Sequence, residues 1–128
     1  MSKKRDAERL VHILDAIRKI DNFLMLSDQK NFLASEKDQS AVSMQLAVIG
    51  EAARNLTPDF CLQHAEIPWA KIVAMRNYLV HDYTRIDYGA IWETTQNDLP
   101  LFKAQITSIL AKLQPQKKPE KTLKNPKI

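Results

Sequence analysis

DAERLVHILDAIRKIDNFLM, residues 6–25, is the stretch that decides the fold class of this chain. Leu10, Leu14, Ile17 and Leu24 fall on one helical stripe, which Val11, Ile13, Ile20 and Phe23 widen. Arg9, Asp15, Arg18, Lys19 and Asp21 take the opposite face. The spacing follows the 3.6-residue turn of a helix and not the two-residue alternation of a strand. Only 2 glycines and an aromatic content of 7% leave little material for the turns and strands of an all-β fold.

Working outward, Ser27 or Asp28 can cap a short second helix that runs through Leu33. A third helix is expected over residues 36–56, with Val42, Leu46, Ile49, Ala53 and Leu56 on one face. Gly50 lies inside it, flanked by Ala47, Ala52 and Ala53. An interior glycine costs about 1 kcal/mol against alanine, so Gly50 marks a close approach by another helix. Thr57-Pro58 ends this helix and opens a short helical turn over residues 59–64, since proline suits a first turn. Ile67-Pro68-Trp69 repeats the device: proline holds Ile67 extended and starts a helix whose apolar residues are Ile72, Val73, Met75, Leu79 and Val80. A last helix is expected from near Asp87 to about Leu113, with Ile91, Leu99, Phe102, Ile106, Ile109 and Leu113 inward and a kink at Pro100. Trp69 and Trp92 are read as core anchors. The expected architecture is all-α, an antiparallel four-helix bundle with one or two short extra helices.

At 128 residues and 45% hydrophobic content the chain has material for one core. Its net charge of +4 is not spread evenly: five of the 19 basic residues and one of the 15 acidic residues lie in residues 114–128. That leaves 14 of each sign in residues 1–113, so the folded part is formally neutral and is no uniformly basic nucleic-acid-binding domain. The division expected is a helical domain over 1–113 and a basic, disordered tail over 114–128, rich in lysine and proline. The tail reads first as a solubilising extension and second as an attraction for RNA. One cysteine, Cys61, cannot close an intrachain disulfide, and no apolar run reaches the length of a membrane span or signal segment. A cytoplasmic protein that does not bind a membrane is expected.

The chemistry gathers in RNYLVHDY, residues 76–83. Asn77 and His81 are four apart and share a helix face, and Arg76, Val80 and Tyr83 share the next stripe if the helix extends that far. Arginine suits bidentate phosphate binding. Histidine is the side chain whose ordinary pKa permits proton transfer near neutrality. Together they can cleave RNA through its own 2′-hydroxyl, histidine moving a proton and arginine stabilising the charge that builds on the phosphate. That reaction needs no metal or cofactor, and the acidic residues form no cluster of the kind a two-metal nuclease uses. One helix offers one histidine where a base and an acid are wanted. A two-fold homodimer would bring a second Arg76 and His81 to the cleft.

Arg76, four residues, His81, one residue and Tyr83 resemble the R-x4-H-x-Y motif of the HepT-like toxins in the HEPN superfamily. Ile49-Gly50-Glu51-Ala52, Ile67-Pro68-Trp69, Met75-Arg76-Asn77, and Ile91-Trp92 followed by Asp98-Leu99-Pro100 are similar to that family's pattern in order and spacing, over roughly residues 7–113. The basic tail is the departure from it. The resemblance implies a dimeric four-helix bundle and a metal-independent endoribonuclease toxin of a toxin–antitoxin system. It implies a partner, a minimal nucleotidyltransferase antitoxin that transfers AMP from ATP to the motif tyrosine, here Tyr83. It makes Arg76 and His81 the catalytic pair, with Asn77 supporting.

Plainer readings stand beside these. Arg76 and His81 can be a surface arginine and a helix-capping histidine, and Asn77 can serve only to fix the ring of His81. Tyr83 can be a core tyrosine with a satisfied hydroxyl. Glu51 can touch RNA or a partner, or simply be solvated. His12 reads as exposed, Cys61 as a small buried residue, and Cys61 with His64 as two residues short of a zinc site. The alternative function is a non-catalytic HEPN module that binds a nucleotidyltransferase and supports its substrate recognition. The intact Arg76/His81 pair speaks against it, because a pure binding module would not require both.

Overall fold

The computed structural model describes residues 2–113, so the expectation for 114–128 lies outside the described residues. Every regular element among them is helical: α1 (Ser2–Leu24), α2 (Gln29–Leu33), α3 (Glu36–Arg54), α4 (Pro58–Gln63), α5 (Trp69–His81), α6 (Tyr88–Glu93) and α7 (Leu99–Leu113). A 3-10 turn at Tyr83–Arg85 precedes α6. α1 packs against α3 and α7, and α3 packs against α5. No described helix is long and apolar enough to cross a membrane.

The expected stripes supply the core. Leu10, Ile13, Ile17, Ile20 and Leu24 of α1 are buried with Val42, Leu46, Ile49 and Ala53 of α3 and with Leu99, Phe102, Ile106 and Ile109 of α7. Val11 and Phe23, which widen the α1 stripe in sequence, lie at its exposed edge. α1 begins four residues earlier than its apolar period reveals. The residues Lys3, Lys4 and Arg5 carry helix propensity but no apolar face to signal it. Asp28 caps α2 by accepting from the Asn31 N–H at 2.8 Å, one of the two caps expected.

Asp6 is a buried carboxylate that the sequence does not single out. It accepts from the backbone N–H of Thr57 at 2.9 Å and from the Thr57 hydroxyl at 2.7 Å. The same hydroxyl accepts from the Phe60 N–H and so caps α4. The start of α1 is thereby tied to the cap of α4 by satisfied polar groups, as buried polar atoms require.

The last helix departs from expectation. In place of one helix kinked at Pro100, α6 and α7 are joined by a π-helical stretch at Thr94–Asp98. Proline has no N–H to give and its ring crowds the carbonyl four residues back, here that of Gln96. Widening the turn just before Pro100 relieves both problems without ending the helix.

Gly50 is where α3 meets α5. A Cβ built there would overlap the Cβ of Arg76 and would stand 3.1 Å from the Ile72 carbonyl oxygen. The close approach read from the sequence is therefore an approach of backbone to backbone, with nothing flexible to yield. Gly50→Ala should lose about 1–2 kcal/mol of stability in urea unfolding. An overlap this close costs about 2–3 kcal/mol, against the roughly 1 kcal/mol of helix propensity that alanine gains.

Candidate functional site

α5 is set at both ends by neighbouring chain. Before it, Trp69 donates from Nε1 to the His64 carbonyl at 3.0 Å and packs its ring between Phe60 and Phe102. Ile67 is buried, and Pro68 breaks the preceding turn so that α5 starts at Trp69, as the Ile-Pro-Trp sequence implies. After it, the Asp82 N–H closes the last turn on the Tyr78 carbonyl at 2.9 Å. The Tyr78 hydroxyl accepts from the Asp87 N–H at 2.7 Å and donates to the Arg85 carbonyl at 3.3 Å. Tyr78 thus staples the segment carrying Tyr83 back onto α5, a role its sequence position does not reveal.

Arg76 stands at the Gly50 crossing. Its aliphatic stem lies against that glycine, and its Nε faces the Glu51 carboxylate at 3.4 Å. Its Nη1 donates to the Asn77 side-chain carbonyl at 3.0 Å. With a side chain only 24% exposed, Arg76 is no freely solvated surface arginine. Asn77 therefore braces Arg76, and no hydrogen bond joins Asn77 to His81 among the described residues. Glu51 also receives Arg54, Nη2 to Oε2 at 3.1 Å, and the Asn55 amide at 3.2 Å. These donors hold its carboxyl below the ordinary glutamate range: the Arg54 hydrogen bond foremost, then Asn55, with the charges of Arg54 and Arg76 adding less. Glu51 in turn raises the Arg54 guanidinium.

His81 is exposed at the last residue of α5 and makes no side-chain hydrogen bond among the described residues, so it does not act as a cap. Tyr83 is 70% exposed, which removes the reading of it as a core tyrosine. It also lies off the Arg76 stripe, because α5 stops at His81 and Tyr83 belongs to the 3-10 turn. Val80, grouped in sequence with the apolar residues of this helix, is 41% exposed beside His81. Leu79 takes the buried position instead. The structure therefore joins Arg76 and Asn77 to Glu51, Arg54 and Asn55 in one network, while His81 and Tyr83 remain outside it on exposed chain. The pairing of Glu51 with Arg76 is what sequence reasoning missed. Gly50 carried the signal, since the residue beside a contact glycine must border the contacted helix.

Elsewhere, burial first and the Asp6 carboxylate second push the half-buried Cys61 thiol above its ordinary pKa. It therefore lacks the lowered pKa of an activated nucleophile. His12 is exposed, as read. Among the described residues no three His, Cys, Asp or Glu side chains converge as a metal site would need. An apolar groove between α3, α5 and α7, lined by Leu46, Ile72, Met75, Leu99 and Phe102, includes none of Arg76, Asn77, His81 or Tyr83.

The helical fold of the described residues can be set beside known proteins. Residues 13–109 match the family model described as "Ribonuclease HepT-like". The chain is 35% identical over 107 residues to a Thermococcus cleftensis protein named "Probable ribonuclease HepT", covering 84% of this chain and 97% of that one. Two Methanocaldococcus jannaschii proteins, each named "Putative RNase", are 32% identical over 106 residues and 34% identical over 110. The first alignment covers 83% of this chain and 97% of the relative, the second 86% and 91%. No solved structure matches. This chain belongs to the HepT-like ribonuclease family.

Proposed function

We propose that the protein is an endoribonuclease that cleaves RNA by attack of a ribose 2′-hydroxyl on the adjacent phosphorus, with Arg76 and His81 carrying the chemistry. The observation behind this reading is the braced guanidinium: Glu51 and Asn77 hold Arg76 while Nη2 makes no hydrogen bond among the described residues. An arginine held in place spends less side-chain entropy on binding a phosphate than a free one. In the step proposed, the 2′-oxygen bonds to phosphorus as its proton leaves, and the bond from phosphorus to the 5′-oxygen breaks. The departing oxygen takes up a proton, and His81 serves one or both transfers. Arg76 balances the charge on the phosphoryl oxygens, and Asn77 supports it by fixing its orientation. The products are a 2′,3′-cyclic phosphate and a 5′-hydroxyl.

Purified protein should cleave RNA in the presence of EDTA. Arg76→Ala and His81→Ala should each lower kcat/KM a hundredfold or more, the scale of an acid–base or charge-stabilising group. End-group analysis of the products is the check. A strict requirement for magnesium, or full activity in His81→Ala, would overturn the mechanism.

The acid and the base are supplied, in this reading, by two copies of the chain meeting at the α5 end. His12 lies on α1 and His64 precedes α5, and among the described residues neither is hydrogen-bonded to Arg76. The exposed Val80 beside His81 gives that end an apolar contact. Light scattering should report a homodimer, and Val80→Asp should shift it toward monomer and lower activity together.

The same reading makes the protein the toxin of a toxin–antitoxin pair, silenced by a nucleotidyltransferase partner. The Tyr83 hydroxyl attacks the α-phosphorus of ATP, releases pyrophosphate and sheds its proton, leaving AMP on the tyrosine. The exposure of Tyr83 meets the first requirement of such a target. The attached phosphate would add negative charge near a site that must receive RNA phosphate. Incubation with ATP, magnesium and the partner should add AMP mass and abolish cleavage in step. Tyr83→Phe should escape both, whereas label on Tyr78 or Tyr88 would place the switch elsewhere.

A further inference from the structure

Glu51 accepts two guanidiniums at one point. The Nε of Arg54 stands 3.3 Å from its Oε1, and the Nε of Arg76 stands 3.4 Å from that same oxygen. One carboxylate between two arginines leaves a local excess of one positive charge, on a folded body that is formally neutral. Arg54 donates from Nε and Nη2 to Glu51; Arg76 donates from Nη1 to Asn77 and meets Glu51 as an ion pair. Within the described residues, Nη1 of Arg54 and Nη2 of Arg76 make no hydrogen bond. Two guanidiniums thus share one carboxylate, and the Arg54 side chain is 54% exposed.

We propose that Arg54 is a second RNA-phosphate ligand of the site, held in register with Arg76 by the shared Glu51 carboxylate. The inference rests on the ribonuclease reading and extends it. Arg76 serves the reacting phosphate, and Arg54 takes a neighbouring phosphate of the same strand, adding affinity and strand register but no chemistry. Glu51 is then a positioning residue, whose negative charge weakens RNA binding slightly while its geometry serves both arginines. A surface pair at i and i+3 contributes little by itself. Arg18 and Asp15 form such a pair on α1, at 2.8 Å, and Asp15 also meets Lys19 at 3.4 Å, so this acid too stands between two cations, all three on one helix. Arg18 is therefore a matched control for loss of one surface arginine.

The test measures binding of a fluorescent 2′-O-methyl oligoribonucleotide, which lacks the attacking hydroxyl, over a range of salt concentrations. Arg54→Ala should weaken binding about tenfold, the effect of one charge-assisted contact. It should reduce the slope of log K against log salt by about 0.7, the value for one phosphate on a single strand. Arg18→Ala should alter neither by a comparable amount. On cleavable RNA, Arg54→Ala should raise KM with kcat nearly unchanged, and Glu51→Gln should tighten probe binding while lowering kcat. Equal effects of Arg54→Ala and Arg18→Ala on affinity and salt slope would overturn the proposal. Because the probe cannot be cut, Arg54-dependent binding without any cleavage of native RNA would instead count against the ribonuclease reading alone.

Discussion

The Cβ of Arg76 lies where a side chain at residue 50 would have to begin, and the polar end of the molecule depends on that coincidence. With hydrogen in place of a methyl group, α3 and α5 approach until the stem of Arg76 rests on the α3 backbone. Glu51, one residue further on, then meets the guanidinium. A longer side chain at residue 50 would separate the helices and with them the acid from the base. The helix pays about 1 kcal/mol of propensity for an interior glycine, and the closer packing and the ion pair offset it.

From that crossing the electrostatics follow. A long cationic side chain left in water samples many rotamers, and ordering it at the moment of binding costs entropy. Here Glu51 and Asn77 impose the order in advance, from two different helices. The same carboxylate gathers Arg54 and the Asn55 amide, and its pKa falls accordingly, so it stays ionised to lower pH than an ordinary glutamate. The other end of α5 is organised on a different principle. Tyr78 uses its hydroxyl to pin the segment after the helix, which leaves His81 and Tyr83 exposed on firmly held backbone. Exposed side chains on hydrogen-bonded backbone are thereby placed at one end of α5.

The stretch matched to the HepT-like ribonuclease family, residues 13–109, spans the Gly50 crossing, Arg76 and Tyr83. Much of it was legible beforehand. The helical stripes of α1, α3 and α7 gave the core, Gly50 gave the contact point, and Ile67-Pro68-Trp69 gave the start of α5. Other features were not legible, each for a physical reason. The π-helical stretch at Thr94–Asp98 turns the polar Thr95 inward between Ile91 and Leu99, so no apolar residue marks the wider turn before Pro100. Burial of Asp6 depends on Thr57, 51 residues away, and nothing local signals it. Val80 looks like a core residue by composition, but α5 turns Leu79 inward and leaves Val80 at the edge.

Local chemistry sufficed for what the sequence by itself determined: all-helical elements, their breaks at Pro58 and Pro68, and the candidate set Arg76, Asn77, His81 and Tyr83. Periodicity, proline geometry and residue type act within a few positions, so they can be read along one strand of text. Only the tertiary structure decided which groups meet. It paired Asn77 with Arg76 in place of His81, recruited Glu51 and Arg54 from another helix, and ended α5 before Tyr83, so that this residue left the Arg76 stripe. The recruitment of Glu51 depends on the distance between α3 and α5, set by how closely the two backbones pack at Gly50.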